Sequence, residues 1–467
     1  MKKFDLIIIG GGAGAFAAAI KANELGAKTL LVNKGLPLGG TCINVGCVPS
    51  KALLYAGEVM HLAKNHNIPG LEIEIQKFDF QKVIEDELEL VARLRQEKYE
   101  KVLGGLENVT AIEGWAKFIS ANEIQVDDKT FFSEKFLIAT GSTATPPSIP
   151  GIMEVGYLTH IGALKLKKQP KELIVLGAGP VGLEFAQMYS RFGTKVTILH
   201  RSSSIFRKGE KELTVKLSEI LTKEGITIKT NVSVKEAKIE NGKKIISYDT
   251  KGKQENISAD EILAAIGKIP NTEKLGLEKA GVKVNEKKAI IVNENFQSSV
   301  PHIFAVGDTV ALPLRQEPTA GSEGTLAAEN ALSSSKNTID YNAVPYTIFT
   351  DPQLAGIGIT EHEEMKLLGR CLCRTVSFEN IPKAIIIKRT EELIKLVIHP
   401  DSKIILGVHI LAPQAGELIS EAMYIIRNKN TIHDVVNSLP MFPTLSEAIK
   451  LAALSFTKDI SKLSCCV

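Results

Sequence analysis

The chain has 467 residues, 44% hydrophobic and 23% charged, a globular balance at about three times the ~150-residue length of a typical domain. Its 56 lysines and arginines against 53 acidic residues leave a net charge of +3. That is too weak and too evenly spread for a nucleic-acid or membrane-surface protein.

The six cysteines are too few for a secreted disulfide framework. They fall as three close pairs, Cys42/Cys47, Cys371/Cys373 and Cys465/Cys466, a pattern that in an intracellular chain suggests redox or metal chemistry. Lys2 and Lys3 precede an apolar run from Leu6 to Ile20, but Gly10, Gly11, Gly12 and Gly14 interrupt it and no cleavage site follows. No segment has the length and composition of a membrane span. A soluble, cytoplasmic protein that neither inserts into membranes nor binds nucleic acid is expected.

In chain order, Phe4 to Ile9 reads as a buried strand and runs straight into Gly10-Gly11-Gly12-Ala13-Gly14-Ala15. A helical stretch follows to Leu25, then a second strand from Thr29 to Val32. The unit is written again later. Glu172 to Leu176 leads into Gly177-Ala178-Gly179-Pro180-Val181-Gly182, with a helix to Phe192 and a strand from Lys195 to Leu199. The first glycine and the residue ending the second strand are 23 apart in both copies, Gly10 to Asn33 and Gly177 to His200. A glycine-rich turn between strand and helix lets the backbone approach a pyrophosphate and aims the helix N-terminus at it. Two dinucleotide sites are therefore predicted, one on Gly10, Gly12 and Ala15 and the other on Gly177, Gly179 and Gly182.

The second copy ends in His200-Arg201, with Arg207 six residues on, and no carboxylate. Two guanidiniums suit a 2′-phosphate, so this site is expected to take NADPH and not NADH. Asn33 in the first copy can still hydrogen-bond a ribose hydroxyl.

Between the copies lies Thr41-Cys42-Ile43-Asn44-Val45-Gly46-Cys47-Val48-Pro49-Ser50-Lys51, which is expected to open a helix, since Ala52 to Ala63 is helix-compatible. A C-x4-C spacing spans about one helical turn, so the sulfurs can meet in a disulfide. A thiolate at a helix N-terminus has a lowered pKa. Zinc is a poor alternative, because no second Cys/His pair sits at finger spacing.

This stretch resembles the redox-active disulfide of the flavin-dependent disulfide reductase family, which includes dihydrolipoamide dehydrogenase, glutathione reductase and mercuric reductase. The resemblance extends over the whole chain through Ala139-Thr140-Gly141-Ser142, Ala265-Ile266-Gly267, Ile303 to Asp308, and Thr350-Asp351-Pro352. It implies an α/β fold with two Rossmann-like dinucleotide-binding domains, for FAD and NADPH, plus a C-terminal α+β dimerisation domain. The boundaries expected are 1–150 and 271–340 for the two parts of the FAD-binding domain, 151–270 for the NADPH-binding domain, and 341–467 for dimerisation. By the same likeness FAD rests on Gly10, Gly12, Ala15, Asn33, Thr41, Ala116 and Asp308, with Lys51 near the flavin and paired with Glu184. NADPH rests on Gly177, Gly179, Gly182, Arg201, Arg207 and Gly267. Cys47 is the flavin-facing sulfur and Cys42 the outer one.

Two C-terminal features bear on the substrate. Thiol–disulfide reductases of this family carry His-Pro-x-x-x-Glu, whose His moves protons at sulfur. Here the stretch is Phe442-Pro443-Thr444-Leu445-Ser446-Glu447, with a phenyl ring for the base, and His433 lies nine residues upstream. The chain closes on Cys465-Cys466-Val467, a two-thiolate fork for a soft cation. That tail, together with the inner pair, resembles mercuric reductases, in which Hg(II) passes from tail thiols to the inner cysteines. Tyr99 matches one active-site tyrosine of that group, and Phe442 stands where the other is expected. Such enzymes commonly begin with a small metal-binding domain, whereas this chain starts at the FAD strand. The expected activity is NADPH-dependent reduction of Hg(II), presented as thiol complexes, by a homodimer whose Cys42, Cys47, Cys465 and Cys466 handle the metal. A disulfide reductase of the dihydrolipoamide dehydrogenase type and a metal-sequestering flavoprotein are the alternatives. Cys371 and Cys373 read as incidental.

Overall fold

The structure is a computed structural model and describes residues 2–464. Five sheets organise the described residues. The strand Lys2–Ile9 sits between Thr29–Asn33 and Lys129–Ile138, parallel to both, with Ile7 opposite Leu30 on one side and Phe136 on the other. Val109–Glu113 extends one edge, Ile303–Ala305 pairs in parallel with Lys129–Ile138, and antiparallel Glu123–Val126 and Ala116–Ser120 complete seven strands. Leu6, Ile7 and Ile8 are each 0% exposed, as a strand covered on both faces requires. Burial of such side chains contributes about 1.5–3 kcal/mol each.

The second repeat builds a four-stranded parallel sheet in the order Thr227–Lys229, Lys195–Leu199, Glu172–Leu176, Glu261–Ala264. Both repeats thus form the strand–turn–helix–strand unit expected of them. A three-stranded antiparallel sheet, Val232–Glu240, Lys243–Thr250 and Lys253–Ala259, packs beside the second unit. The chain passes between the two units through Ser142–Ala144 and Lys268–Pro270, which pair antiparallel.

From Tyr346 onward a five-stranded antiparallel sheet runs in the order Tyr346–Ile348, Gln353–Gly358, Ile405–Ala412, Leu393–Ile398, Cys373–Ser377. Helices Ala415–Arg427 and Glu447–Leu454 cover it.

Two packing features place the site. Helix Ala13–Glu24 lies against helix Glu317–Ser333 at a contact of two glycines, where a Cβ on Gly324 would stand 2.0 Å from the carbonyl oxygen of Gly14. Helix Cys47–Asn65 lies on helix Pro180–Arg191 within one apolar core that also takes in Ile348, Leu354 and Leu411 of the C-terminal sheet. Buried Arg191 locks that junction, pairing with Glu224 and Asp351 at 2.9 Å each. Among the described residues, no helix is long and apolar enough to cross a membrane.

Candidate active site

A cleft of about 3200 Å³ runs between the sheets, and Cys42, Cys47, Lys51, Glu184 and Asp308 line it. Its floor is the first glycine turn. Gly10 has φ +128°, and a Cβ there would meet the carbonyl oxygen of Ala139 at 2.2 Å, so only glycine closes this turn. Gly12 caps helix Ala13–Glu24 with extended backbone and no side-chain cap. The first amides of that helix are therefore left for an anion. The segment Gly39–Gly40 folds onto the turn: Gly39 N donates to Gly11 O at 2.8 Å, and a Cβ on Gly40 would lie 2.6 Å from Gly12 Cα. Thr41 is thereby set beside the turn, and Ala15 is buried against the strand above it.

Asn33 ends its strand, and its amide donates to Leu36 O at 2.9 Å. Ala116 opens the strand that borders the cleft beside Trp115. Asp308 accepts a short hydrogen bond from Ser142 Oγ. The turn carrying it is held by buried Glu323, which accepts Gly307 N at 2.7 Å and the Tyr341 hydroxyl at 2.8 Å. These residues form a cradle that fits a dinucleotide.

The second glycine turn repeats the device. Gly177 has φ +107°, and a Cβ on Gly182 would meet Gly177 O at 2.1 Å, while none lies near Gly179. His200 does not present a charge to this turn. Its Nδ1 accepts Ala178 N at 3.2 Å, and burial, with Arg201 and Arg207 nearby, holds the imidazole below its ordinary pKa. Phe206 N donates to Ala178 O at 3.0 Å and draws the following Arg207 to the cleft edge. Arg201 is exposed on the strand's end, and Gly267 turns with φ +118° beside Thr145.

The cysteines depart from the single-turn expectation. Cys42 belongs to a short helix, Gly40–Val45, and Cys47 is the first residue of the next, Cys47–Asn65. Gly46 breaks the path at φ −129°, ψ −109°, where a Cβ would stand 2.8 Å from Thr41 O. Two helices therefore bring the sulfurs together, and the second opens at Cys47, within the cysteine stretch as expected. Asn44 fastens this corner, donating to the carbonyls of Pro37, Leu38 and Gly40 and accepting from Arg95 at 3.0 Å.

Both cysteines are free thiols. Hydrogen bonding from Cys42, then the charge of Lys51, lowers Cys47 to about 7, while the same bond and burial push Cys42 far up. The pair is polarised, with Cys47 favouring the thiolate and Cys42 the thiol. Lys51 Nζ donates to Glu184 Oε2 at 2.7 Å and lies 4.6 Å over the Phe349 ring, and Phe349 N holds the other Glu184 oxygen at 2.9 Å.

Tyr99 rides a π-helical turn, Gln96–Glu100, that extends helix Phe80–Arg95. Its ring meets Phe16 edge-on at 4.8 Å, and burial together with the charge of Cys42 lifts its pKa to about 12. Glu317, at the start of its helix, acts on Cys42, Cys47 and Tyr99 alike. Glu317, Phe349, Asn44, Arg95 and Glu323 went unread in the sequence.

At the C-terminus, Phe442 is 48% exposed and Glu447 is spent on Thr444 N at 3.0 Å. His433 bonds Asn437 at 3.0 Å. Cys465 and Cys466 lie outside the described residues. Cys371 and Cys373, read as incidental, are brought together with Glu361.

The polarised thiol pair predicts a titration. Iodoacetamide alkylation of Cys47 in the reduced protein is expected to rise with a midpoint near 7, because the thiolate is the nucleophile. Cys42→Ala and Lys51→Met each remove a group that favours the thiolate and raise that midpoint toward the ordinary cysteine range. An unmoved midpoint in both variants would contradict this account of the pair.

Residues 4–331 match the pyridine nucleotide-disulphide oxidoreductase family, and residues 344–453 match its dimerisation domain. The chain belongs to this family. A mercuric reductase of Staphylococcus aureus is 40% identical over 464 residues, 99% of this chain and 84% of that protein. A dihydrolipoyl dehydrogenase of Thermus scotoductus is 36% identical, covering 98% of each. The HOCl-induced flavoprotein disulfide reductase RclA from Escherichia coli is similar in structure, with a TM-score of 0.86 and 26% identity over 97% of this chain and all of that one. The protein is a flavin-dependent oxidoreductase of this family and uses FAD and NADPH. The two glycine turns fit those two dinucleotides.

Proposed function

We propose that the protein reduces Hg(II) to Hg(0) with electrons from NADPH, acting as a homodimer. What supports this reading is the polarised thiol pair, with Cys47 lowered to about 7, together with the phenyl ring of Phe442 at the sequence position where disulfide reductases of the family are expected to carry histidine. Release of a thiol from a disulfide needs a proton delivered to the leaving sulfur. Reduction of a metal ion does not. The balance is Hg(II) and NADPH giving Hg(0), NADP+ and one proton.

Bound FAD supplies the two-electron relay between the nicotinamide and the cysteine pair. Gly10, Gly12, Ala15, Asn33, Thr41, Ala116 and Asp308 would hold it, with Lys51, anchored by Glu184, placed to act on the cysteine pair. Gly177, Gly179, Gly182 and Gly267 seat the nicotinamide dinucleotide, and Arg201 and Arg207 take its 2′-phosphate. Cys47 offers a ready thiolate to the metal, and Cys42 loses its proton on binding, so both sulfurs grip Hg(II). Tyr99 stays neutral near Cys42 and donates a hydrogen bond to the bound thiolate. Cys465 and Cys466 deliver the ion.

The dihydrolipoamide dehydrogenase reading rests on overall likeness and is opposed by Phe442. A metal-sequestering flavoprotein without turnover is the third reading. NADPH oxidation driven by Hg(II) in excess small thiol, set against lipoamide and glutathione disulfide, separates the three. Only the Hg(II) reaction is expected to turn over, and equal or faster lipoamide turnover would overturn the proposal.

The arginines give a second expectation. NADPH exceeds NADH in kcat/KM, and replacing Arg201 and Arg207 with Ala removes the gap at a cost of about 1–3 kcal/mol for NADPH. Equal use of both dinucleotides by the parent protein would show that the arginines do not read the phosphate.

A further inference from the structure

Away from the flavin pair, two more sulfurs converge. Cys371 follows helix Glu361–Leu368, and Cys373 opens the strand Cys373–Ser377. The residue between them, Leu372, is pinned by a bond from Ile398 N to its carbonyl at 2.9 Å. Residues two apart on an extended chain share a face, so both sulfurs turn to the first turn of that helix. Cys371 Sγ donates to Glu361 Oε1 at 3.5 Å, and ligand atoms of Glu361, Cys371 and Cys373 all lie within 4.8 Å of one another.

The far side of Glu361 is fixed. Its Oε2 pairs with Lys395, which is 1% exposed and is also tied to Glu210 at 3.2 Å and Glu212 at 2.8 Å. Lys395 thus balances one oxygen and leaves Oε1 aimed at the sulfurs. A second carboxylate lies alongside. Glu364 is 0% exposed, and while its Oε2 accepts Leu372 N at 3.2 Å, its Oε1 has no partner among the described residues. Burial raises the pKa of this carboxyl, opposed by the Leu372 amide and the charge of His399.

We propose that Cys371, Cys373 and Glu361 form a second site for a soft divalent cation. Two thiolates and one carboxylate select Zn(II), Cd(II) or Hg(II) over Mg(II) or Ca(II). On binding, two S–H bonds break, two sulfur–metal bonds form, and two protons leave to solvent with no change of oxidation state. The three side chains are partly exposed, so an ion can enter. Neither sulfur lines the cleft that holds Cys42 and Cys47. The site retains metal and does not reduce it, and the inference stands whether or not Hg(II) is the flavin's substrate.

The test uses the full-length, FAD-loaded protein with Cys42, Cys47, Cys465 and Cys466 replaced by serine, which leaves Cys371 and Cys373 as its only thiols. Titration with Cd(II) at neutral pH is expected to load about one ion per chain, with sulfur-to-cadmium charge-transfer absorbance, in the presence of excess Mg(II). Adding Cys371→Ser or Cys373→Ser abolishes that band, and Glu361→Gln weakens binding on the order of tenfold. Alkylation provides a readout that needs no further substitution: bound Cd(II) protects both thiols in the four-serine protein. Absence of the band, or thiols alkylated equally fast with and without Cd(II), would overturn the proposal.

Discussion

Replacing Cys42 and Cys47 together with serine is expected to cut Hg(II) turnover by at least about a thousandfold while leaving FAD bound and reducible by NADPH. The size follows from what the pair does. It is the only polarised thiolate–thiol couple lining the cleft among the described residues, and without it nothing holds the metal where electrons arrive. The single variants separate the roles. Cys47→Ser removes the thiolate that Lys51 stabilises and with it any long-wavelength absorbance of the reduced holoenzyme. Cys42→Ser leaves that absorbance in place but removes the second grip on the metal. Absorbance that survives Cys47→Ser and disappears with Cys42→Ser would reverse the assignment of the two sulfurs.

The second large effect concerns the tail. Replacing Cys465 and Cys466 with Ala is expected to reduce turnover of Hg(II) presented as a thiol complex by on the order of a hundredfold, and to spare reduction of the flavin by NADPH. A chelate gains because its second sulfur binds intramolecularly, at roughly millimolar or higher local concentration. Small thiols compete with one sulfur far better than with two. If the partner subunit's tail serves each inner pair, mixing this variant with a Cys42→Ala variant under subunit exchange restores activity. Half of the dimers are then mixed, each with one complete site, so roughly a quarter of the parent's activity returns. A tail variant as fast as the parent on thiol complexes would remove the tail from the mechanism.

Much of this site was legible because its signals are local. Gly10 and Gly177 each sit between a strand and a helix, and the turn they must make is dictated by the few residues around them. The arginines after the second strand and the cysteine stretch with Lys51 are similarly compact. What stayed hidden comes from distant segments. Glu317 reaches the sulfurs only because two glycines let helices Ala13–Glu24 and Glu317–Ser333 touch. Phe349 reaches Lys51 and Glu184 because the C-terminal sheet shares a core with helix Pro180–Arg191. No periodicity in the sequence announces either approach. The helix break at Gly46 was missed because helix propensity over Ala52 to Ala63 says little about where the helix begins, which the contact between Gly46 and Thr41 decides. Cys371 and Cys373 looked incidental because their third partner, Glu361, lies ten residues back on a helix whose placement depends on the sheet.

The central claim is that this cysteine pair passes two electrons to a metal ion and not to a disulfide. It is tested most directly by collecting elemental mercury vapour from the holoenzyme supplied with NADPH and Hg(II) in excess thiol. The account predicts one Hg(0) released per NADPH oxidised in the parent protein and none with Cys42 and Cys47 replaced. NADPH oxidation without mercury release, or vapour released equally by the variant, would contradict it.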